Sequence, residues 1–185
     1  MPKVSEQHVQ SRRDQILEGA QRAFARHGYE GATVARLEEE TGLSRGAIFN
    51  YFPDKWSIFY ELAARDQYEL LTLLVEHGLD ATLRHLAEEN PDWLGVYFEL
   101  TRQLRASPER MKEFQQRAPR ELQERAEEAL RTLREENVFR DDVSFEGLIA
   151  FVNVVANGLA LATSLGLTID VDELLKLVHT GIDPQ

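Results

Sequence analysis

The chain has no cysteine among its 185 residues, and this one absence removes disulfides, thiolate metal sites and cysteine nucleophiles together. Little else in it supports catalysis. There is no glycine-rich phosphate loop, no HExxH and no GxSxG, and the histidines at 8, 27, 77, 85 and 179 lack metal-ligand spacing. The expectation is a non-enzyme with no catalytic residue, no cofactor and no resident metal; His77 and His85, each near acids, are ligands only if folding brings them together. The chain also lacks any uninterrupted run of roughly eighteen apolar residues, and its opening, MPKVSEQHVQSRRDQ, is polar where a secretory signal carries an apolar core. A soluble, cytoplasmic protein without a membrane partner is expected. Repeats, low-complexity tracts and alternating strand patterns are absent too, so the whole chain reads as helix.

Basic charge is also scarce. A net charge of −11 argues against a nucleic-acid partner until its distribution is considered. Residues 1 to 55 carry eight Lys/Arg against eight Asp/Glu, while residues 56 to 185 carry thirteen against twenty-four. All the excess acid lies in the second part. The expected division is therefore an N-terminal domain at 1–54 and a second helical domain at 55–185, and the basic residues Arg12, Arg13, Arg36, Arg45 and Lys55 must gather on one face for DNA binding to work.

What the first part does contain is a capped helical pair. Thr33 is placed to cap a short helix from Val34 to Thr41 through its hydroxyl, and Gly42 ends it where a left-handed residue is needed. After a turn over Gly42 to Ser44, Ser44 caps a second helix of about two turns, Arg45 to Tyr51, which Phe52 and Pro53 close. Two short helices around a glycine-containing turn are the unit that lays its second helix in the DNA major groove. Val34, Leu37, Leu43, Ala47, Ile48 and Phe52 are spaced to face inward. Arg45, Gly46, Phe49, Asn50 and Tyr51 then face outward beside Lys55. Arginine forks to guanine O6 and N7, asparagine pairs with adenine N6 and N7, glycine lets the helix approach closely, and Tyr51 and Lys55 suit phosphates. Similar capped pairs occur in helical proteins that bind no DNA, so a helical dimer that binds a ligand or protein without an operator is the competing reading.

Around this pair, residues 1 to about 10 read as a loose arm, with Arg12 and Arg13 either reaching phosphates or a minor groove or simply starting a solvated helix. Ser11 to His27 has the three-four spacing of an amphipathic helix that braces the pair. Asp54 caps a long helix to about His77, Gly78 ends it, and a shorter helix follows to Glu89. Asn90-Pro91 and Ser107-Pro108 each open a further helix; Pro119 interrupts the segment after them, and 120–137 reads as a charged helix with pairs such as Glu121 with Arg125 and Glu127 with Arg131. Ser144 opens the most apolar segment, SFEGLIAFVNVVANGLALATSLG, and Asp170 to Glu173 resembles a capping box for a last helix. These two C-terminal helices exceed the needs of one small core. A two-fold dimer packing the pair against its copy is expected, through Phe151, Val155, Leu159, Leu174, Leu175 and Val178.

The series Thr33-Val34, Gly42-Leu43-Ser44-Arg45-Gly46, Phe49, Tyr51-Phe52 and Lys55 resembles the TetR family of transcriptional regulators. The run EGATVARLEEETGLSRGAIF, with Asp92-Trp93 and Gln103-Leu104-Arg105, is similar to the aconitase repressor subgroup. Two residues depart from the broad family pattern. Glu38 stands where alanine is usual, a change shared by the subgroup, and Phe49 replaces a tyrosine whose hydroxyl often contacts phosphate. The resemblance implies an all-α homodimer with an N-terminal three-helix helix-turn-helix domain and a C-terminal helical domain for effector binding and dimerisation. It implies repression at a palindromic double-stranded DNA operator, release by a small-molecule effector that moves the long fourth helix, and an aconitase or central-metabolism target. The DNA contacts it implies are Thr33, Arg45, Gly46, Asn50, Tyr51 and Lys55, with Arg36 and Ser44 as weaker candidates. An effector pocket is implied among Tyr60, Trp93, Tyr97, Phe98, Glu99, Arg102, Asn153 and Asn157. Aromatics at helical spacing are also ordinary core residues. The two asparagines, four apart on an apolar helix, bond across a dimer, to Glu99 or Arg102, or to the effector; Arg102 and Arg105 suit a carboxylate ligand or plain surface pairing.

Overall fold

The computed structural model describes residues 2–89, 91–105, 107–109 and 140–182, with 112, 124, 128 and 131 between them. The Asn90 cap, the Pro119 interruption and the paired charges expected over 120–137 lie outside the described residues, as do the side chains of Glu99, Arg102 and Arg105. The described elements are α1 (Pro2–Gly31), α2 (Val34–Thr41), α3 (Arg45–Tyr51), α4 (Lys55–Glu88), α5 (Pro91–Arg105), α6 (Phe145–Ser164) and α7 (Val171–Ile182). No strand occurs among the described residues. The arm expected at 1–10 is instead helical from Pro2, because proline presets the first helical position and nothing before Gly28 breaks the run.

Two compact units make up the chain, Met1–Asp66 with Gly95–Gln116, and Gln67–Leu94 with Arg117–Gln185. The first unit takes in the opening turns of α4, which complete its core. Ile16, Leu17, Ala20, Ala23 and Phe24 of α1 are buried with Leu37, Ile48 and Phe52, and α4 adds Ile58, Phe59, Tyr60, Leu62 and Ala63. An aromatic cluster ties the end of α1 to the start of α4: Tyr29 lies 5.6 Å from Phe24 and 6.1 Å from Trp56, ring centre to ring centre, in offset or edge-on arrangements that such rings favour. Asp54 opens α4 as expected, its carboxylate accepting from the Ser57 N–H and hydroxyl, both at 2.7 Å.

Gly78 breaks α4 with φ 81° and ψ −178°, and Thr82 donates its hydroxyl to the freed Gly78 carbonyl at 2.9 Å. The break lies inside the second unit, which takes α4 from Gln67 onward. Leu83, Leu86, Trp93 and Leu94 are buried there, as are Leu148, Leu159 and Ala160 of α6 and Leu175, Val178 and Ile182 of α7. Asp170 caps α7 by accepting from the Glu173 N–H at 3.0 Å, and α7 is joined to α4 by Arg84–Asp172 at 2.6 Å and His179–Asp80 at 2.9 Å. Such exposed ion pairs contribute little, so the apolar contacts hold the unit.

Among the described residues the apolar helix α6 is only partly enclosed. It is long and apolar enough to cross a membrane by length and composition, yet only 17% of that window is buried. Phe151, Val154, Leu161, Leu165, Leu167, Ile169 and Leu177 are exposed around it and α7. Three residues expected at a dimer interface are buried within the single chain: Leu159, Leu175 and Val178 are 3%, 4% and 2% exposed. Val155 and Leu174 are half-buried, and Phe151 is exposed.

Of the glycines, Gly19 makes the closest approach, where α1 meets α2. A Cβ on Gly19 would sit 2.7 Å from the Thr41 methyl and 2.8 Å from the Glu40 carbonyl, and backbone cannot yield as a side-chain tip can. Gly19→Ala is expected to destabilise the protein by about 1–3 kcal/mol through this overpacking, read as a lower urea midpoint with unchanged slope.

Candidate nucleic-acid interface

The turn between α2 and α3 is fixed by short-range bonds. Gly42 adopts φ 69° and ψ 17°, the left-handed state glycine enters freely, and its N–H donates to the Glu38 carbonyl at 2.9 Å. The buried Thr41 hydroxyl donates to the Leu37 carbonyl at 2.6 Å and accepts from the Leu43 N–H at 3.2 Å. From α1, Gln15 donates to the Thr41 carbonyl at 2.8 Å. Ser44 caps α3, although its Oγ is 3.4 Å from the Ala47 N–H, a long bond. A closer partner sits at the same end: the Arg45 N–H donates to the Glu38 carboxylate at 2.6 Å. Thr33 departs from expectation, since its hydroxyl makes no capping bond and α2 starts on the backbone bond from the Leu37 N–H to the Thr33 carbonyl, 2.9 Å.

Of the residues expected at DNA, Thr33, Arg36, Ser44, Arg45, Gly46 and Asn50 are exposed, and Tyr51 and Lys55 are half-buried. Leu37, Ile48 and Phe52 face the core as expected; Val34, Leu43 and Ala47 are only partly covered. Nothing lies within 4 Å of where a Gly46 Cβ would stand, so packing inside the protein does not require glycine there. The Arg45 guanidinium lies 5.9 Å from the centre of the Phe49 ring. Arg36 donates to the Gly31 carbonyl at 2.7 Å.

Lys55 is more constrained than its expected role at a phosphate requires. Its ammonium donates to the Tyr29 carbonyl at 2.6 Å and sits 4.2 Å from the centre of the Tyr29 ring. Partial burial pushes its pKa below the ordinary lysine value, with nearby Glu30 acting in the opposite sense.

Arg12 and Arg13, read either as phosphate or minor-groove contacts or as the start of a solvated helix, both have partners within the protein. Arg12 donates to the Gln15 side chain at 2.8 Å. Arg13 turns inward: it donates to the Tyr51 carbonyl at 3.2 Å, pairs with Glu61 at 2.6 Å and lies 4.5 Å from the centre of the Phe52 ring. The roles of Arg13 and Glu38 were missed in the sequence. Glu38 was marked only by its departure from alanine, and Arg13 by no signal, because its partners lie 38 and 48 residues away.

The expected effector residues divide between the units, Tyr60, Tyr97, Phe98, Glu99 and Arg102 in the first and Trp93, Asn153 and Asn157 in the second. Tyr60, 2% exposed, and Trp93, 1% exposed, are core residues. The ring centres of Tyr97 and Phe98 are 5.9 Å apart, and burial, with the Asp66 charge second, pushes the Tyr97 phenol up. Asn153 and Asn157 are exposed rather than buried, and each amide donates to the carbonyl four residues back, Ile149 and Asn153, at 2.9 and 2.8 Å. Among the described residues no three His, Asp or Glu side chains cluster as a metal site would.

An exposed two-turn helix bearing Arg, Gly and Asn, held across a left-handed glycine turn from a supporting helix, is a helix-turn-helix of the kind that lies in a DNA major groove. The model of bacterial regulatory proteins of the tetR family matches residues 16–62. The HTH-type transcriptional repressor Rv1474c of Mycobacterium tuberculosis is 39% identical over 168 residues, covering 90% of this chain and 89% of that protein. The HTH-type transcriptional repressor AcnR of Corynebacterium diphtheriae is 38% identical over 185 residues, covering 98% and 97%. The chain belongs to the TetR family of bacterial regulators. Its fold is that of Salmonella enterica GusR, with a TM-score of 0.72 at 16% identity over 92% of this chain and 94% of that one.

Because Lys55 bonds the end of α1 and also presents a cation at the start of α4, Lys55→Ala is expected to act twice. Thermal unfolding should show a lower Tm, and titrations should show weaker binding to every DNA sequence alike.

Proposed function

We propose that this protein is a transcriptional repressor that binds a pseudo-palindromic DNA operator as a homodimer, with one α3 in the major groove of each half-site. The observation that carries the proposal is the exposed set Arg45, Gly46 and Asn50 on α3, with Thr33 and Ser44 exposed at the N-termini of α2 and α3. Arg45 and Asn50 have the side chains that read guanine and adenine edges, and Thr33, Ser44, Tyr51 and Lys55 supply phosphate partners. Residues 1–54 are the DNA-binding part and 55–185 the effector-binding and dimerisation part, and a bacterial regulator of this kind works in the cytoplasm. Relatives carrying the name AcnR, together with the aconitase repressor resemblance, favour an aconitase or central-metabolism gene as the target.

The dimer is supported by what α6 and α7 leave uncovered. Val154 is 70% exposed, Leu177 is 69% exposed, and Leu161 and Leu165 are exposed too. Covering a Val or Leu side chain contributes roughly 1.5–3 kcal/mol, so a second copy seated here gains more than an isolated protomer can. Release by a small effector completes the proposal. It requires a ligand that prefers a conformation with the wrong spacing between the two α3 helices, since equal affinity for both states would shift nothing. Of the pocket residues first considered, half-buried Tyr97 and Phe98 support such a site, whereas the solvent-facing Asn153 and Asn157 no longer do.

Selection of bound fragments from genomic DNA tests the operator. An enriched inverted repeat is expected, together with affinity that falls steeply with salt and a sequence preference relaxed by Arg45→Ala or Asn50→Ala. No enrichment at low salt would contradict repression. Leu177→Asp, which places a charge on the uncovered apolar surface, is expected to shift the protein from dimer to monomer in sedimentation velocity and to weaken operator binding with it.

A further inference from the structure

We infer that α3 is held by two charges that lie outside it, Glu38 at its N-terminus and Arg13 at its C-terminus, and that both are positioning residues for operator recognition. The inference rests on the reading of α3 as the DNA-recognition helix. It adds two residues that stay off the DNA.

The need for such a clamp follows from length. In a helix of seven residues the first four N–H groups and the last four carbonyls have no partner within the helix, so most of its backbone polar groups depend on something else. Isolated helices this short do not persist in water. At the N-terminus the Ser44 hydroxyl offers only a long bond of 3.4 Å, and the close partner is the Glu38 carboxylate, 2.6 Å from the Arg45 nitrogen. The same residue closes the preceding helix, for its carbonyl accepts the Gly42 N–H at 2.9 Å. Glu38 thus grips both sides of the turn, one with its backbone and one with its side chain. An alanine would keep the first bond and lose the second.

At the other end, Arg13 reaches from α1 to the Tyr51 carbonyl at 3.2 Å, with its ring partner Phe52 beneath and Glu61 of α4 holding its second nitrogen at 2.6 Å. The two charges match the helix dipole: a carboxylate at the positive N-terminus and a guanidinium at the negative C-terminus. Their signs also make a DNA-contact explanation testable. A carboxylate beside phosphates repels them, so if Glu38 acted only through its charge, removing it would tighten binding.

The test compares wild type, Glu38→Ala, Glu38→Gln and Arg13→Ala on duplexes that wild type itself enriches from a random-sequence library. Circular dichroism gives each Tm, and titrations are run well below it. Glu38→Ala is expected to bind the selected duplex about tenfold more weakly, equivalent to roughly 1.4 kcal/mol, and to discriminate less between bases. Glu38→Gln, which keeps an acceptor oxygen without the charge, should stay within about threefold of wild type. Arg13→Ala should weaken binding while leaving the slope of log K against log salt unchanged, whereas loss of a phosphate contact lowers it by about 0.9. Glu38→Ala and Glu38→Gln both binding as tightly as wild type or more so would overturn the clamp, as would a reduced salt slope for Arg13→Ala. A wild type that enriches no duplex would instead fail the DNA-recognition reading itself, a result separate from these.

Discussion

A seven-residue helix cannot sustain itself, and the first unit of this protein is built around that constraint. Ile48 and Phe52 anchor α3 by burial, and the bonds from Glu38 and Arg13 hold its two ends. Behind them α1 and α2 cross as closely as a glycine allows, at Gly19 against Thr41, and Gln15 ties α1 to the end of α2. The start of α4 closes the core from the far side, with Lys55 bonded to Tyr29 and Glu61 bonded to Arg13. With the inner face of α3 so fixed, Arg45, Gly46 and Asn50 are left exposed on its outer face, which is the geometry base reading needs.

The same logic explains how an acidic chain carries a DNA-reading surface. The excess acid falls after residue 55, and within the first unit several acids are turned to the protein's own uses. Glu40 pairs with Arg22 and Arg26, Glu61 with Arg13, Asp14 with Arg65, and Glu38 with a backbone N–H. Several of the acids in this unit thus face the protein's own groups, and exposed Arg45 is in none of these ion pairs.

What was legible in the sequence was local. Gly42, Gly78, Asp54 and Asp170 act where they were expected to, because a left-handed residue or a cap is determined by its own neighbours in the chain. The inward set of the helix-turn-helix was legible for the same reason, through helical periodicity. What was illegible depended on distant partners. Arg13 read as either a phosphate or minor-groove contact or the start of a solvated helix, because nothing near it in sequence names Tyr51 or Glu61. Thr33 looked like a side-chain cap, and Asn153 and Asn157 looked like buried amides in search of partners. In the single chain both are exposed, and each amide donates to a carbonyl of its own helix. On α6 and α7 the pattern gave an apolar surplus without saying which residues the protomer consumes: Leu159, Leu175 and Val178 go to its own core, leaving Val154, Leu161 and Leu177 outside.

The central claim is that two copies of α3 read two related half-sites. Hydroxyl-radical footprinting of wild type on its enriched duplex tests it directly, because the cleavage pattern reports where the backbone is covered on each strand. The account predicts two protected patches related by a two-fold axis, centred about one helical turn or a multiple of it apart, roughly 34 Å per turn. One protected patch without symmetry, or uniform weak protection along the duplex, would contradict it.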